Sequence, residues 1–88
     1  MSIRHPVNER RIDFGGGELP YLLGLSDELE TVRPLLYVTV HPAAMRARGD
    51  EPAELHRFLA DIGYVPELLE ESGDEERWMF QHPDGTRP

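Results

Sequence analysis

The run Arg11-Ile12-Asp13-Phe14-Gly15-Gly16-Gly17-Glu18, with Leu35-Leu36-Tyr37-Val38-Thr39-Val40-His41-Pro42 further along, constrains the fold more than anything else in the chain. A strand ending in an acid, a glycine turn, a helix, and a second apolar strand ending in a polar residue make one crossover between parallel strands. Such a unit delivers Asp13 and His41 to the same edge of the sheet, and that is the edge at which open α/β sheets bind their ligands.

The residues around this unit fill out the rest of an α/β pattern. The first strand is predicted over Arg10 to Phe14, and Gly15-Gly16-Gly17 supplies a backbone free to take positive φ. Pro20 suits the first turn of a helix, where its missing N–H is not needed. Leu19, Leu22 and Leu23 at i, i+3 and i+4 give that helix one apolar stripe, which Gly24 ends. Ser26 and Asp27 can cap a second short turn with Leu29 and Val32 facing inward. The near-continuous apolar run Leu35 to Val40 predicts a central strand covered on both faces. Ala43 to Gly49, rich in small and basic residues, reads as a loop. Asp50 or Glu51 then caps a helix with Pro52 near its first turn, Leu55, Phe58, Leu59 and Ile62 on one face, and Gly63 as its stop. Tyr64 to Glu70 and Glu76 to Gln81 flank Ser72-Gly73-Asp74, the signature of an antiparallel hairpin. The expected order is strand, helix, strand, helix, strand, strand. Residues 1–9, without a period, form a flexible lead-in, and residues 10–88 form a single α/β domain.

Composition narrows the function classes. A chain of 88 residues makes one domain at most and buries roughly 60% of its unfolded surface. Having no cysteine, it has no disulfide, no thiol nucleophile and no thiolate zinc site, which fits a reducing compartment. No apolar run approaches the roughly 20 residues of a membrane helix, and Met1 to Arg11 lacks the apolar core of a signal peptide. The expectation is a cytoplasmic protein with no membrane contact. The formal charge is −8, from 17 acidic side chains against nine basic ones. That field repels phosphate backbones, so no nucleic-acid partner is expected. Every basic residue is arginine, which leaves no lysine for a Schiff base or a P-loop.

Individual motifs each have a bland reading beside the chemical one. The glycine triplet could aim N–H groups at an anion, but its spacing is not G-x-G-x-x-G, and Glu18 would compete for those groups. A plain tight turn is the expectation. Asp13 is either a site acid or the acceptor that holds the Gly15 to Gly17 turn by its backbone N–H groups. Three of the four histidines, His5, His41 and His82, precede proline. The antiparallel last strand should put His82 at the sheet end opposite His41, and His56 should face solvent on its helix, so no histidine metal site is expected. The acids from Glu67 to Glu76 read as a solvated hairpin tip, with docking to a basic partner as the alternative. Trp78, Met79 and Phe80 must point to both faces of their strand, and a face without a helix would want a partner.

Taken together, Ile12, Asp13, Gly16, Glu18, the Arg33-Pro34 junction, Val40-His41, and a helix closing on Phe58-Leu59 before Gly63-Tyr64 resemble the C-terminal half of the FkbM-type methyltransferases. That family has a strand reading Lys-Ile-Asp-Val-Glu-Gly-x-Glu, a helix, an Arg-Pro, and a strand ending in Glu-Val-His. The resemblance runs from about residue 10 to the end of the chain. It implies a partial Rossmann-like sheet ending in a hairpin, S-adenosylmethionine as cofactor, and Asp13, Glu18 and His41 as the site residues.

The family pattern is broken at two positions. Gly15 and Thr39 stand where the family has carboxylates, and both lie near the edge where the reaction is expected. The family's cofactor half, with its glycine-rich first strand and turn, has no counterpart in these residues. The expectation is therefore a methyltransferase segment that is catalytically incomplete alone and binds no S-adenosylmethionine by itself. It would work as a homodimer or with a separate cofactor-binding half. The alternative is a non-enzymatic module that dimerises or complements another subunit.

Overall fold

Strand β1 (Glu9–Ile12) lies parallel to β2 (Leu35–Val40), with Ile12 opposite Val38. The structure, a computed structural model, describes residues 8–85. The expected lead-in lies mostly outside these residues, and its last member, Glu9, already opens β1. Two short helices, α1 (Glu18–Gly24) and α2 (Ser26–Thr31), make the crossover from β1 to β2. After β2 come α3 (Pro42–Ala47) and α4 (Pro52–Asp61), and the chain closes with the hairpin β3 (Val65–Ser72) and β4 (Glu75–Gln81). β4 enters between β2 and β3, antiparallel to both, giving the order β1-β2-β4-β3. The molecule is a small α/β domain with a mixed, partly parallel sheet.

One apolar core holds the helices to the sheet. Ile12, Leu36, Val38, Val40 and Phe80 supply the sheet side, while Leu19, Leu22, Leu29, Met45, Leu55 and Leu59 supply the helix side. Each large side chain so buried stabilises the fold by about 1.5–3 kcal/mol relative to exposure. Tyr64 joins the same core and donates its hydroxyl to the Pro34 carbonyl at 2.7 Å. Burial raises the Tyr64 phenol above its ordinary value, with the Glu28 charge adding and Arg33 opposing.

Several sequence expectations need correction. The first strand ends at Ile12 rather than Phe14, because the chain turns away at Asp13 to enter the glycine turn, where Gly15 and Gly16 have φ of 59° and 116°. β2 is not covered by helices on both faces. Leu36, Val38 and Val40 meet the helices, whereas Tyr37 and Thr39 alternate onto the other face and are half-buried. Ala43 to Gly49 is not a loop. Pro42 opens α3, two alanines carry it, and Met45 anchors it in the core. Leu23 and Val32, expected inside, are exposed, since helices this short bury a narrow stripe. His56 is not solvent-facing either. Its ring sits 4.5 Å from the Trp78 ring and 5.4 Å from Phe80, and this burial lowers its pKa, with Glu76 opposing.

The two sheet edges differ in character. β3 is exposed along its whole length, carries Pro66, and shifts register between Leu68 and Glu70, a bulge of the kind that blunts an edge. At the other edge β1 pairs only with β2 among the described residues. At the far end of β4, His82 sits within 3.1 Å of the Ile62 carbonyl and takes the Asp84 N–H on Nδ1, which ties the chain end to the close of α4.

Candidate functional site

The parallel pairing of β1 and β2 carries Asp13 and His41 past the ends of neighbouring strands to one sheet edge. There His41 Nε2 stands 3.4 Å from Asp13 Oδ1. On the other side of the ring, His41 Nδ1 stands 3.4 Å from Glu18 Oε2. The three residues named by the sequence are thus brought together, one from each of the strand end, the helix start and the second strand end. His82, by contrast, lies at the opposite end of the sheet, as the pairing of Leu36 with Phe80 and Val40 with Glu76 requires. His5 lies outside the described residues.

Glu18 is the hub of this cluster. Its side chain is fully buried, and Oε2 accepts the N–H of Phe14 at 2.7 Å and of Gly16 at 3.1 Å. Glu18, not Asp13, therefore holds the glycine turn, because it reaches back from the first turn of α1 while Asp13 points outward and is 64% exposed. Glu18 Oε1 and His41 Nδ1 are both buried and have no hydrogen-bond partner. Gly16 is forced by this arrangement. Its φ of 116° suits glycine, and a Cβ there would fall 2.9 Å from the Ala44 Cβ.

A fourth group was not legible as part of the site. Glu75 opens β4, and its Oε1 comes within 3.8 Å of His41 Nε2. The antiparallel hairpin register could have found it, since the residue after the turn must land beside the end of β2.

Next to the cluster, the sheet face that carries no helix among the described residues forms a groove of about 400 Å³ lined by Arg11, Asp13, Tyr37, Thr39, Leu69 and Arg77. The Arg11 guanidinium lies 4.6 Å over the Tyr37 ring. Arg77 pairs with Glu70 at 2.9 Å. Of the two positions where the resemblance expects acids, Thr39 lies in this groove opposite Arg77, and Gly15 is an exposed turn residue.

Fold and cluster together define an α/β domain with one buried carboxylate, one imidazole and two solvent-reaching carboxylates at a sheet edge. Among known proteins, no family model, no curated sequence and no solved structure matches this chain. No helix among the described residues is long and apolar enough to cross a membrane.

Proposed function

We propose that this chain is the acceptor-binding side of an FkbM-like, S-adenosylmethionine-dependent methyltransferase, working with a separately supplied cofactor-binding half. The observation that carries the reading is the meeting of Asp13, Glu18 and His41 within 3.4 Å contacts at the sheet edge. The order β1-β2-β4-β3, with the last strand entering antiparallel, is compatible with the C-terminal part of a Rossmann-like sheet ending in a hairpin. The adjoining groove, with Arg11 stacked on Tyr37, offers a polar and aromatic surface for an acceptor.

The described residues do not fit the methyl donor. The N–H groups of Phe14 and Gly16, which the carboxylate of the methyl donor would need, already go to Glu18, and Gly17 N–H goes to the Phe14 carbonyl. A buried carboxylate in that position also repels any further anion. What the chain's own residues can do is orient an O–H or N–H acceptor and take its proton. His41 is the group for that step, with the Glu18 carboxylate 3.4 Å from its inner nitrogen.

A second reading, a non-enzymatic module that dimerises or complements another subunit, is favoured by the side chains near β1. Phe14 and Tyr21, with ring centroids 4.5 Å apart, are 53% and 40% exposed, and an aromatic pair this open is typical of an interface.

The test uses calorimetry and labelled methyl donor. The chain alone should show no binding of S-adenosylmethionine. Mixed with the cofactor-binding half of an FkbM-type methyltransferase, it should support methyl incorporation that His41→Ala abolishes. Micromolar single-site binding by the chain alone would overturn the division of labour. Incorporation that survives His41→Ala would remove the proposed site.

A further inference from the structure

The geometry points to a divalent-cation site at Asp13, Glu18 and His41, with Glu75 at its rim. This goes beyond methyl transfer and stands whether or not the chain takes part in it. One ligand atom from each of the three residues lies within 4.8 Å of the others.

The cluster alone would not carry the inference, since grouped acids are common without an ion. The buried, unpartnered oxygen does. Glu18 is fully buried, Oε2 is engaged by two backbone N–H groups, and Oε1 is sealed from water with no donor. A buried carboxylate oxygen left bare is costly. Among the described residues no arginine makes an ion pair with Glu18 or Asp13, and His41 is the sole cationic candidate beside them. The His41 Nδ1 beside Glu18 is likewise buried and makes no hydrogen bond, although it is only 3.4 Å from Oε2. The ligand atoms of the three residues thus gather within 4.8 Å of one another without hydrogen-bonding among themselves, and the buried carboxylate among them keeps one oxygen unmet.

The spacing also suits an ion. Zinc binds imidazole nitrogen and carboxylate oxygen at about 2.0–2.2 Å, which puts two ligands of one ion roughly 3–3.5 Å apart in tetrahedral to octahedral geometry. His41 Nε2 and Asp13 Oδ1 are 3.4 Å apart, within that range, while Glu75 Oε1 lies somewhat outside it at 3.8 Å. Glu18 approaches the other ring nitrogen, so a small turn of the His41 ring would bring the Asp13, Glu18 and His41 ligand atoms, already within 4.8 Å of one another, onto one ion. The two N–H donors on Glu18 act as an outer shell that fixes the carboxylate. Asp13 and Glu75 are 64% and 44% exposed, so an ion has a route in and positions left for water.

One imidazole with carboxylates selects Zn²⁺ or Mn²⁺ over the all-oxygen preferences of Ca²⁺ and Mg²⁺. An ion held here would lower the pKa of a bound water or acceptor hydroxyl. His41 would then be a ligand, and an ion-bound hydroxide would take the acceptor's proton in its place.

The experiment is titration of the full, tag-free chain with ZnCl₂, MnCl₂, MgCl₂ and CaCl₂, read by calorimetry and thermal shift, with electron spin resonance for Mn²⁺. The expected result is one Zn²⁺ or Mn²⁺ per chain in the micromolar range, with a raised melting temperature and no comparable response to MgCl₂ or CaCl₂. Asp13→Asn, at an exposed position that should not disturb folding, should weaken binding roughly tenfold or more. His41→Gln should abolish it, while His56→Gln and His82→Gln leave it intact. Absence of Zn²⁺ and Mn²⁺ binding at millimolar concentration would overturn the proposal. So would binding that Asp13→Asn and His41→Gln leave unchanged. Neither result bears on the methyl-transfer reading, which is tested with labelled methyl donor.

Discussion

His41 Nδ1 stands 3.4 Å from Glu18 Oε2, the same oxygen that accepts the N–H groups of Phe14 and Gly16. The inner wall of the candidate site and the turn that leads into α1 are therefore built on one atom. Loss of that carboxylate should act on both at once.

Stability measures the first half of that coupling. Glu18→Leu fills the volume but strands the Phe14 and Gly16 N–H groups, the latter buried. Hydrogen bonds to a charged acceptor are worth about 1.5–3 kcal/mol each, so losing the two is expected to cost about 3–6 kcal/mol in urea unfolding. Glu18→Gln keeps a carbonyl acceptor and should lose about 1 kcal/mol. A leucine variant as stable as the parent would mean that the turn does not depend on this oxygen.

The glycine turn separates conformation from crowding. Gly15 has φ of 59° and open space where a methyl group would stand, so Gly15→Ala meets only the left-handed backbone penalty, of about 1 kcal/mol. Gly16 has φ of 116°, and a Cβ would press on the Ala44 side chain at 2.9 Å and on its backbone at 3.1 Å. Gly16→Ala should therefore cost about 2–4 kcal/mol, combining backbone strain with the shift it forces on α3. Equal melting temperatures for the two variants would contradict this packing.

How far the sequence disclosed this arrangement depends on the kind of signal. Asp13 and His41 were legible because strand ends next to a glycine turn and a proline are local features, and the parallel crossover does the rest, whereas Glu18 was named through the family resemblance alone. Leu55 and Leu59 were legible from the helical period. α3 was not, since Met45 is its one buried residue and a single apolar position has no period. The single helix-covered face of β2 was hidden for a different reason. Tyr37 and Thr39 suit a strand whether covered or open, so alternation cannot be read from their chemistry. His56 was misplaced because its contact with Trp78 and Phe80 is made across the sequence, by the return of β4. Glu75 became a neighbour of His41 through that same return.

The His56 contact predicts a pH dependence. Burial against Trp78 and Phe80 lowers the imidazole from its ordinary 6.5, with the Glu76 charge opposing. Above that value the ring is neutral folded and unfolded alike, so the group adds no slope. Below it the unfolded chain takes up a proton that the folded chain resists, and folding stability drops as pH falls. Melting temperature measured from about pH 7 to about pH 5 should fall less steeply for His56→Phe than for the parent chain. Parallel curves would show that the ring titrates as it does in the unfolded chain.

The remaining prediction concerns the β1 edge. β1 pairs only with β2 among the described residues, so its outer N–H and C=O groups face away from the sheet, an arrangement that invites pairing. Arg10 and Arg11 blunt this edge in part, being tied to Glu28 at 2.8 Å and Glu9 at 3.0 Å. Phe14 and Tyr21, with ring centroids 4.5 Å apart, project an exposed aromatic pair just beyond the end of the strand. Burying a phenylalanine is worth about 1.5–3 kcal/mol, which is enough to weaken an association by tenfold or more when it is lost. The chain should therefore sediment as a concentration-dependent dimer, and Phe14→Lys should shift the dissociation constant upward by at least about tenfold. A folded monomer at high concentration, or a Phe14→Lys chain that associates like the parent, would leave this edge without a role in assembly.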